Sequence, residues 1–264
     1  MSPDQLHDLL SELPPGAPVL DCGGWFIPLN AATHVVDLMP YETRRGRLEL
    51  TSLPGEKFTR DTWYQADFLA PDFRLPFPDK FFAFSHCSHT LEDLANPEPL
   101  LRELVRVSQR GLLVCPSRLS EQTAGSSNRI TNRQGHPHHH WIVDTENGRP
   151  VFYAKADSLA SAWWGTAVPL RTYERLNEAD PSVNVWTHVW SGSLDWQIVR
   201  GPAARARAVD FARRTRSSAL ALPFDCLWRG LRQAKHRLRR RRGRAAADWW
   251  SDMVALSRPY NRLP

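Results

Sequence analysis

Short apolar runs alternate with a helical pattern in the first half of the chain. Residues 81–87 and 111–115 are almost continuously apolar, which is typical of strands that helices cover on both faces. Between these runs, Asn96-Pro97 predicts a helix start, because proline favours the first helical turn. Apolar residues then recur at helical spacing at Leu100, Leu101, Leu104, Val105 and Val107. This strand–helix–strand order predicts a parallel, doubly wound α/β sheet.

Two earlier strands are predicted to carry acidic residues near their ends. They are Val19-Leu-Asp-Cys-Gly-Gly24 and Thr33-His-Val-Val-Asp37. Ligands of a parallel sheet bind beyond the carboxyl ends of the strands, where the strand order reverses. Glycine lets the backbone approach such a ligand, although ordinary turn chemistry explains a glycine pair equally well. We expect four features to meet at this edge: Asp21, Asp37, Asp67 and the turn at residues 85–93.

The second half of the chain departs from this pattern. Residues 117–135 are rich in polar side chains and are expected to form a loop. Residues 141–144 and 151–154 flank a Glu146-Asn-Gly148 turn and predict a β-hairpin. A second hairpin is predicted at residues 183–199, with its turn at Ser191-Gly-Ser193. Its antiparallel strands would close the otherwise parallel sheet.

Basic charge is confined to the last quarter of the chain. Residues 201–264 contain 16 Lys and Arg against 4 Asp and Glu, a net charge of +12, whereas residues 1–200, with 18 against 24, carry −6. We therefore predict an α/β domain over residues 1–200, with an inserted loop and hairpin at 117–165, and a helical basic tail over 201–264. The arginine run at 231–244 lies between Trp228 and Trp249-Trp250, which suits an anionic membrane surface. Nucleic-acid binding and a merely solvated helix are the alternatives.

The composition is that of a globular protein outside the membrane. No stretch approaches the roughly 20 apolar residues of a membrane span. Leucines at positions 6, 9, 10 and 13 predict an amphipathic first helix rather than a signal peptide, so a cytoplasmic location is expected. The cysteines show no metal-binding or disulfide spacing and are expected to be reduced thiols: Cys22, Cys87, Cys115 and Cys226.

Three segments together resemble a known enzyme family. They are Trp63-Tyr-Gln-Ala-Asp-Phe-Leu69, Leu75-Pro-Phe-Pro-Asp79 and the predicted helix from Pro97 to Val107. In order and spacing they are similar to class I S-adenosylmethionine-dependent methyltransferases of the small-molecule group, over residues 17–117. The resemblance implies a Rossmann-like, mostly parallel sheet and methyl transfer from S-adenosylmethionine. A small molecule or a saccharide is the expected acceptor, and O-methylation the expected reaction.

The resemblance also implies roles for individual residues. Asp21, with Gly23 and Gly24, would flank the methionine end of the cofactor, and Asp37 would accept hydrogen bonds from the ribose hydroxyls. The adenine would lie against Asp67 and Phe68, while the pocket would be closed by Cys87 and Ser88. For Asp67, a turn cap is the alternative role.

The first loop departs from the family pattern. Trp25 and Ile27 stand where the family has its second and third glycines. The residues from Gly24 to Thr33 are too few for a loop and a full helix, so that helix is expected to be one turn or absent. S-adenosylmethionine carries no phosphate and needs this helix less than a dinucleotide does, which favours methyl transfer over hydride transfer. An inactive α/β module that binds membrane or nucleic acid through its tail is the alternative function.

Histidines supply the candidate bases. Imidazole can accept a proton near neutral pH, so His89 is the first candidate for a hydroxyl acceptor and His139 the second. Glu92 and Asp93 could serve instead, or could cap a turn. The group at residues 136–140 contains four histidines, but no cysteine or carboxylate pattern follows, so no metal ligands are assigned. Two alternatives remain for this group. The histidines could serve in a substrate pocket or in proton transfer, or they could be solvent-exposed or capping residues.

Overall fold

The computed structural model describes residues 3–46, 52–126, 134–159 and 165–216, together with the single positions Phe224, Leu227 and Leu231. Its described residues divide into two compact units. The first comprises those in 1–115 and 187–194, and the second those in 116–186 and 195–245. This division differs from the domain boundaries expected from the sequence, since the predicted insert forms much of a unit of its own.

A mostly parallel sheet forms the centre of the first unit. Its strands follow the order β3-β2-β1-β4-β5-β8, and the pairs among β1 to β5 are parallel. The bounds are β1 Val19–Cys22, β2 His34–Asp37, β3 Trp63–Gln65, β4 Phe84–Ser88, β5 Arg110–Pro116 and β8 Val185–Ser191. Most residues of β1, β2, β4 and β5 are buried, as expected for a sheet covered on both faces. The Rossmann-like α/β fold class is confirmed.

Helix α1 is the first element of the described chain, and helix α2 connects β4 to β5. The bounds are α1 Pro3–Ser11 and α2 Glu98–Val107. Asn96 Oδ1 accepts a hydrogen bond from Glu98 N at 3.2 Å, which caps the start of α2 as the sequence predicts. The buried face of α2 consists of Leu100, Leu101, Leu104 and Val107.

Arg106 on α2 accounts for the Leu75-Pro-Phe-Pro-Asp79 segment. Its guanidinium donates to Leu75 O at 2.9 Å, to Phe77 O at 2.8 Å and to Asp79 Oδ1 at 2.9 Å. Glu103 holds the same guanidinium at 2.7 Å and accepts a hydrogen bond from Leu75 N at 2.7 Å. Two of the three segments that carry the family resemblance are therefore joined structurally, because a planar guanidinium offers several donors in one fixed geometry.

The second unit is built on a three-stranded sheet with the order β6-β7-β9. The strands are β6 Trp141–Glu146, β7 Arg149–Ala154 and β9 Gln197–Val199, and the helices are α3 Arg118–Gln122, α4 Lys155–Leu159, α5 Leu170–Ala179 and α6 Gly201–Thr215. β6 and β7 form the expected antiparallel hairpin. Its turn places Asn147 and Gly148 at positive φ, +52° and +78°, which asparagine and glycine tolerate best.

The second predicted hairpin is wrong. β8 lies beside β5 in the first sheet, whereas β9 pairs in parallel with β7 in the second sheet. Ser191 and Ser193 form only an isolated bridge at the predicted turn. The alternation identifies one buried face of β8, which carries Trp186 and Trp190, but it contains no information about which strand pairs with which.

The described start of the predicted tail belongs to the second unit. Ala204, Ala208 and Ala212 are fully or almost fully buried along one face of α6. Ala204 packs against Ile142, Val151 and Tyr153 of the β6–β7 hairpin. The compositional boundary at residue 201 is therefore not where the packed structure ends. None of the helices in the described part of the chain has the length and apolarity that a membrane crossing demands.

Three of the four cysteines are buried free thiols in the first unit. They are Cys22, Cys87 and Cys115, and burial raises the pKa of each well above its ordinary value. Cys22 of β1 is paired in register with Cys87 of β4. They act as small core residues. Cys226 lies outside the described residues.

Candidate functional site

The strand order reverses between β1 and β4. From β1 the chain builds outward to β2 and β3 on one side, and to β4 and β5 on the other. The register aligns Asp21 with His86 and with Val35 on the two flanking strands. The parallel strands therefore end together at one edge, and Asp21, Asp37 and Ser88 lie near these ends as the sequence predicts. A reversal of this kind is where α/β sheets bind their ligands.

The glycine pair after β1 is required by close packing. Gly23 has a φ of +77°, and a Cβ there would lie 1.8 Å from Thr90 Oγ1. A Cβ on Gly24 would lie 2.2 Å from Asp21 Oδ2. A side chain at Gly23 would displace Thr90, and a side chain at Gly24 would displace the Asp21 carboxylate.

Asp21 is buried and held on both oxygens. Oδ1 lies 2.8 Å from His86 Nδ1, and Oδ2 accepts a hydrogen bond from Leu29 N at 2.8 Å. These contacts tie together β1, β4 and the loop that follows β1. His86 is a partner that the sequence did not reveal, because only the register of β1 and β4 brings it to Asp21.

Asp37 at the end of β2 anchors the same loop. Oδ2 accepts a hydrogen bond from Trp25 N at 3.0 Å, and Oδ1 accepts one from Met39 N at 2.8 Å. Burial raises the pKa of Asp37 to about 7, against the opposing effect of these amides. The carboxyl group therefore ionises near neutral pH, and a further hydrogen-bond donor would favour its ionised form.

The remaining residues of the expected cofactor site lie in two places. Asp67 is exposed after β3, and its Oδ1 accepts a hydrogen bond from Leu69 N at 2.9 Å, so the turn-cap role is present. Phe68 is buried, with its ring 5.4 Å from that of Phe73. Cys87 is buried within β4, and Ser88, half-buried at its end, accepts a hydrogen bond from Thr90 on its carbonyl.

His89 follows β4 directly in an unusual backbone conformation. Its φ is +52°, which is uncommon for a residue with a side chain and often marks functional positions. Nδ1 lies 3.3 Å from Glu92 Oε1, and this carboxylate raises the pKa of His89. The His89 side chain is 53% exposed, whereas that of Glu92 is buried, so the imidazole faces solvent with an acid behind it.

Glu92 is itself unusual for a buried acid. Its side chain is only 1% exposed, yet neither carboxylate oxygen makes a well-formed hydrogen bond within the described residues. A buried carboxylate without such bonds lowers the stability of the fold, so its presence calls for a functional explanation. The contact of Glu92 with His89 provides this explanation, since a carboxylate behind an imidazole fixes the orientation of the ring and stabilises the protonated imidazole.

His139, the second candidate base, belongs to the second unit. Its Nδ1 lies 2.8 Å from Glu121 Oε1, and the other oxygen of Glu121 binds Lys155 Nζ. All three side chains are buried. Burial alone would raise the pKa of Glu121, but the bond from His139 and the charge of Lys155 lower it overall. Glu121 and Lys155 were missed by sequence reasoning, since nothing near them in sequence marks them.

The chain was compared with known proteins. Residues 22–115, a little more than a third of the chain, match the family model described as a methyltransferase domain. Over this segment the chain is similar to that family. The match begins at the end of β1 and ends within β5, so it contains Asp37, His89 and Arg106. No curated protein matched the chain.

Solved structures show similarity at low levels. An S-adenosylmethionine-dependent methyltransferase from Mesorhizobium loti is 15% identical, covers 79% of both chains and gives a TM-score of 0.34. YcgJ from Bacillus subtilis is 18% identical over 51% of this chain and 63% of its own, with a TM-score of 0.35. A methyltransferase from Aquifex aeolicus is 18% identical over 44% and 65%, with a TM-score of 0.31.

The methyltransferase domain implies S-adenosylmethionine as its cofactor, and the donor set at the strand ends fits this molecule. A carboxylate offers about four acceptor positions. Asp21 and Asp37 each use one position per oxygen in the contacts above, which leaves acceptors for the amino group and the ribose hydroxyls. The fit is one of chemistry, since an amino group and hydroxyl groups donate to carboxylates, and such bonds are strong when the carboxylate is ionised.

The shortened first loop of the methyltransferase domain is held by Trp25. As expected, residues 23–33 contain no helix. Trp25 is buried, and its Nε1 donates to Thr43 O at 2.7 Å, while its carbonyl accepts a hydrogen bond from Arg45 N at 2.8 Å. Trp25 therefore gives the loop a fixed shape where the family pattern has glycine.

Proposed function

We propose that this protein transfers a methyl group from S-adenosylmethionine to a hydroxyl group of a small molecule or saccharide. The observation that carries the proposal is that Asp21, Asp37 and His89 lie at or just after the carboxyl ends of β1, β2 and β4, where the strand order reverses. When bound, S-adenosylmethionine supplies an activated methyl group on a sulfonium. In this proposal Asp21 and Asp37 hold the cofactor, together with Gly23, Gly24, Asp67, Phe68, Cys87 and Ser88.

His89 is the proposed base for the hydroxyl acceptor. An acceptor hydroxyl loses its proton as it attacks, and an exposed imidazole at the end of β4 can take that proton. Glu92 then stabilises the imidazolium. His139 remains the second candidate, with Glu121 in the corresponding place.

Asp37→Ala should weaken S-adenosylmethionine binding by about 1.5–3 kcal/mol, or roughly 10- to 150-fold in Kd. The reason is the loss of hydrogen bonds from the ribose hydroxyls to a charged acceptor. Isothermal titration calorimetry of the purified protein measures this change. Asp61, an exposed acid just before β3 at the opposite edge of the sheet, provides the control variant Asp61→Ala. Equal affinities for wild type and Asp37→Ala would exclude the assigned site.

The amides of Trp25 and Met39 lose their acceptor in Asp37→Ala, so thermal unfolding must be followed in parallel. The variant Asp37→Asn keeps an acceptor oxygen while removing the charge. Because the pKa of Asp37 is about 7, wild-type affinity should rise as the pH increases through 7 and the carboxylate forms. Asp37→Asn should show no such rise, and a pH-independent wild-type affinity would contradict the role.

We further propose that the basic tail contacts anionic membranes. Residues 217–264 alone contain eleven Lys and Arg against three Asp. Phe224, Leu227 and Leu231 are helical and 60–67% exposed, and their spacing places them on one side of a helix. Positive charge next to an exposed apolar stripe is the combination that binds interfacial helices to acidic lipid.

Truncation after Arg216 should abolish binding to acidic vesicles and leave S-adenosylmethionine affinity unchanged. This end point keeps α6, which packs into the second unit. Each basic residue near an anionic surface contributes about 1 kcal/mol, and added salt should weaken the binding steeply. Co-sedimentation with acidic and with neutral vesicles measures the effect. Equal binding to both, or none to either, would contradict membrane contact, and salt-sensitive binding to RNA or DNA alone would favour nucleic acid.

A further inference from the structure

Three histidines of the loop before β6 lie close together in the second unit. His136, His138 and His139 each offer one ring nitrogen, and these three atoms lie within 4.8 Å of one another. The ring of His139 is 4.7 Å from that of His136 and 4.5 Å from that of His138, measured between centroids. In a tetrahedral site with zinc–nitrogen bonds of about 2.0–2.1 Å, the ligand atoms are roughly 3.4 Å apart. Small side-chain rotations would bring the three nitrogens to that spacing.

Glu121 provides the carboxylate that such a site requires behind a ligand. Its Oε1 lies 2.8 Å from His139 Nδ1, and its side chain is 1% exposed. Histidines that bind metal almost always place their other ring nitrogen against a carboxylate, carbonyl or water, which fixes the ring and its tautomer. Because Nδ1 contacts Glu121, Nε2 is the nitrogen of His139 that remains available to a metal.

The backbone of the loop is held on both sides of the cluster. Lys155 donates from its backbone N to His140 O at 2.9 Å and from Nζ to His136 O at 2.5 Å. Gly135 has a φ of +56°, and a Cβ there would lie 2.3 Å from Glu121 Oε2. The loop is therefore packed directly on Glu121. Lys155 forms an ion pair with Glu121, so the positive charge of Lys155 near the histidines is compensated.

We propose that His136, His138 and His139 form a binding site for a divalent transition metal of the zinc type, with Glu121 as the positioning residue for His139. Imidazole ligands suit zinc, copper, iron and nickel. Three protein ligands leave one coordination position open to water or to a ligand oxygen, which is the arrangement of reactive rather than purely structural zinc sites. The proposal extends beyond methyl transfer and does not depend on it.

Titration of tag-free, chelator-treated full-length protein with Zn²⁺ by calorimetry tests the site, and Co²⁺ as a second probe reports tetrahedral coordination through its visible absorption. The wild type should bind one equivalent. His138→Ala and His136→Ala should each weaken binding by at least about 100-fold, and Glu121→Gln by about 10- to 100-fold, as loss of a carboxylate behind a ligand does.

His140→Ala is the matched control, because His140 is exposed in the same loop but outside the cluster. It should bind Zn²⁺ like the wild type. Absence of one-to-one binding in the wild type would overturn the proposal, as would equal losses in His140→Ala and His138→Ala. Both of these histidines are exposed, so neither substitution threatens the fold, and the comparison remains decisive even if Glu121→Gln fails to fold.

Discussion

Replacing His89 by asparagine should lower methyl-transfer turnover by about 10²–10⁴-fold, the usual contribution of a general base. Asparagine is the appropriate replacement because His89 has a φ of +52°, a conformation that asparagine adopts readily and alanine does not. The variant therefore removes the proton acceptor while keeping the turn. Turnover is measured as S-adenosylhomocysteine released in the presence of a panel of hydroxylated small molecules and saccharides.

Cofactor affinity separates a catalytic loss from a damaged site. The Kd for S-adenosylmethionine should be nearly the same in wild type and His89→Asn, because His89 is not among the residues assigned to the cofactor. His139→Asn, measured in parallel, tests the second candidate base. A wild-type rate in His89→Asn would exclude His89 as the base, and wild-type rates in both variants would exclude both candidate histidines.

The pH dependence of turnover tests the contribution of Glu92. The neutral imidazole is the form that accepts a proton, so turnover should rise as the pH increases through the pKa of His89. Glu92 raises that pKa, so the rise should occur above the ordinary histidine value of about 6.5. In Glu92→Gln the rise should move to lower pH. An unchanged profile would show that Glu92 does not act on His89.

The parallel half of the fold could be predicted because its signals are local. The strand runs, the Asn96 cap and the apolar face of α2 all act within a few residues, and the structure follows them closely. The hairpin at residues 183–199 was wrong because the choice of a strand's partner is not local. β9 pairs with β7, more than forty residues earlier in the chain, and no feature of the alternating pattern specifies that choice.

The candidate site shows the same distinction. The positions of Asp21, Asp37 and His89 follow from topology alone, because parallel strands end at one edge. Glu121 and Lys155 meet across 34 residues of sequence, so their contact with His139 depends on how the second unit packs. The Leu75–Asp79 segment was recognised as part of a family pattern, but its physical reason, the guanidinium of Arg106, became visible only in the structure.

Glu56→Ala should destabilise the first unit by about 3–5 kcal/mol, since it removes the carboxylate that pairs with the buried guanidinium of Arg44. The Glu56 and Arg44 side chains are both 0% exposed, and Arg44 Nη2 lies 3.0 Å from Glu56 Oε2. Glu56 also accepts a hydrogen bond from Leu53 N at 2.9 Å and pairs with Arg45, whose backbone N donates to the carbonyl of Trp25. The loss should therefore reach the loop after β1, which belongs to the proposed cofactor site. Urea unfolding measures it.

The exposed ion pair between Glu98 and Arg102 on α2 provides the matched control, because Glu98→Ala should cost only about 0.3–0.5 kcal/mol.

The ionised carboxylate of Glu56 should also make the stability of the wild type depend on pH in the acid range, and Glu56→Gln should remove this contribution. Burial alone would raise the pKa of Glu56, but hydrogen bonds from Arg44 and Leu53 N lower it overall. A lowered pKa adds stability above the unfolded value of about 4.3, and that stability is lost as the pH falls through the folded value. Equal costs for Glu56→Ala and Glu98→Ala, or an acid transition unchanged in Glu56→Gln, would show that the buried pair does not hold this loop.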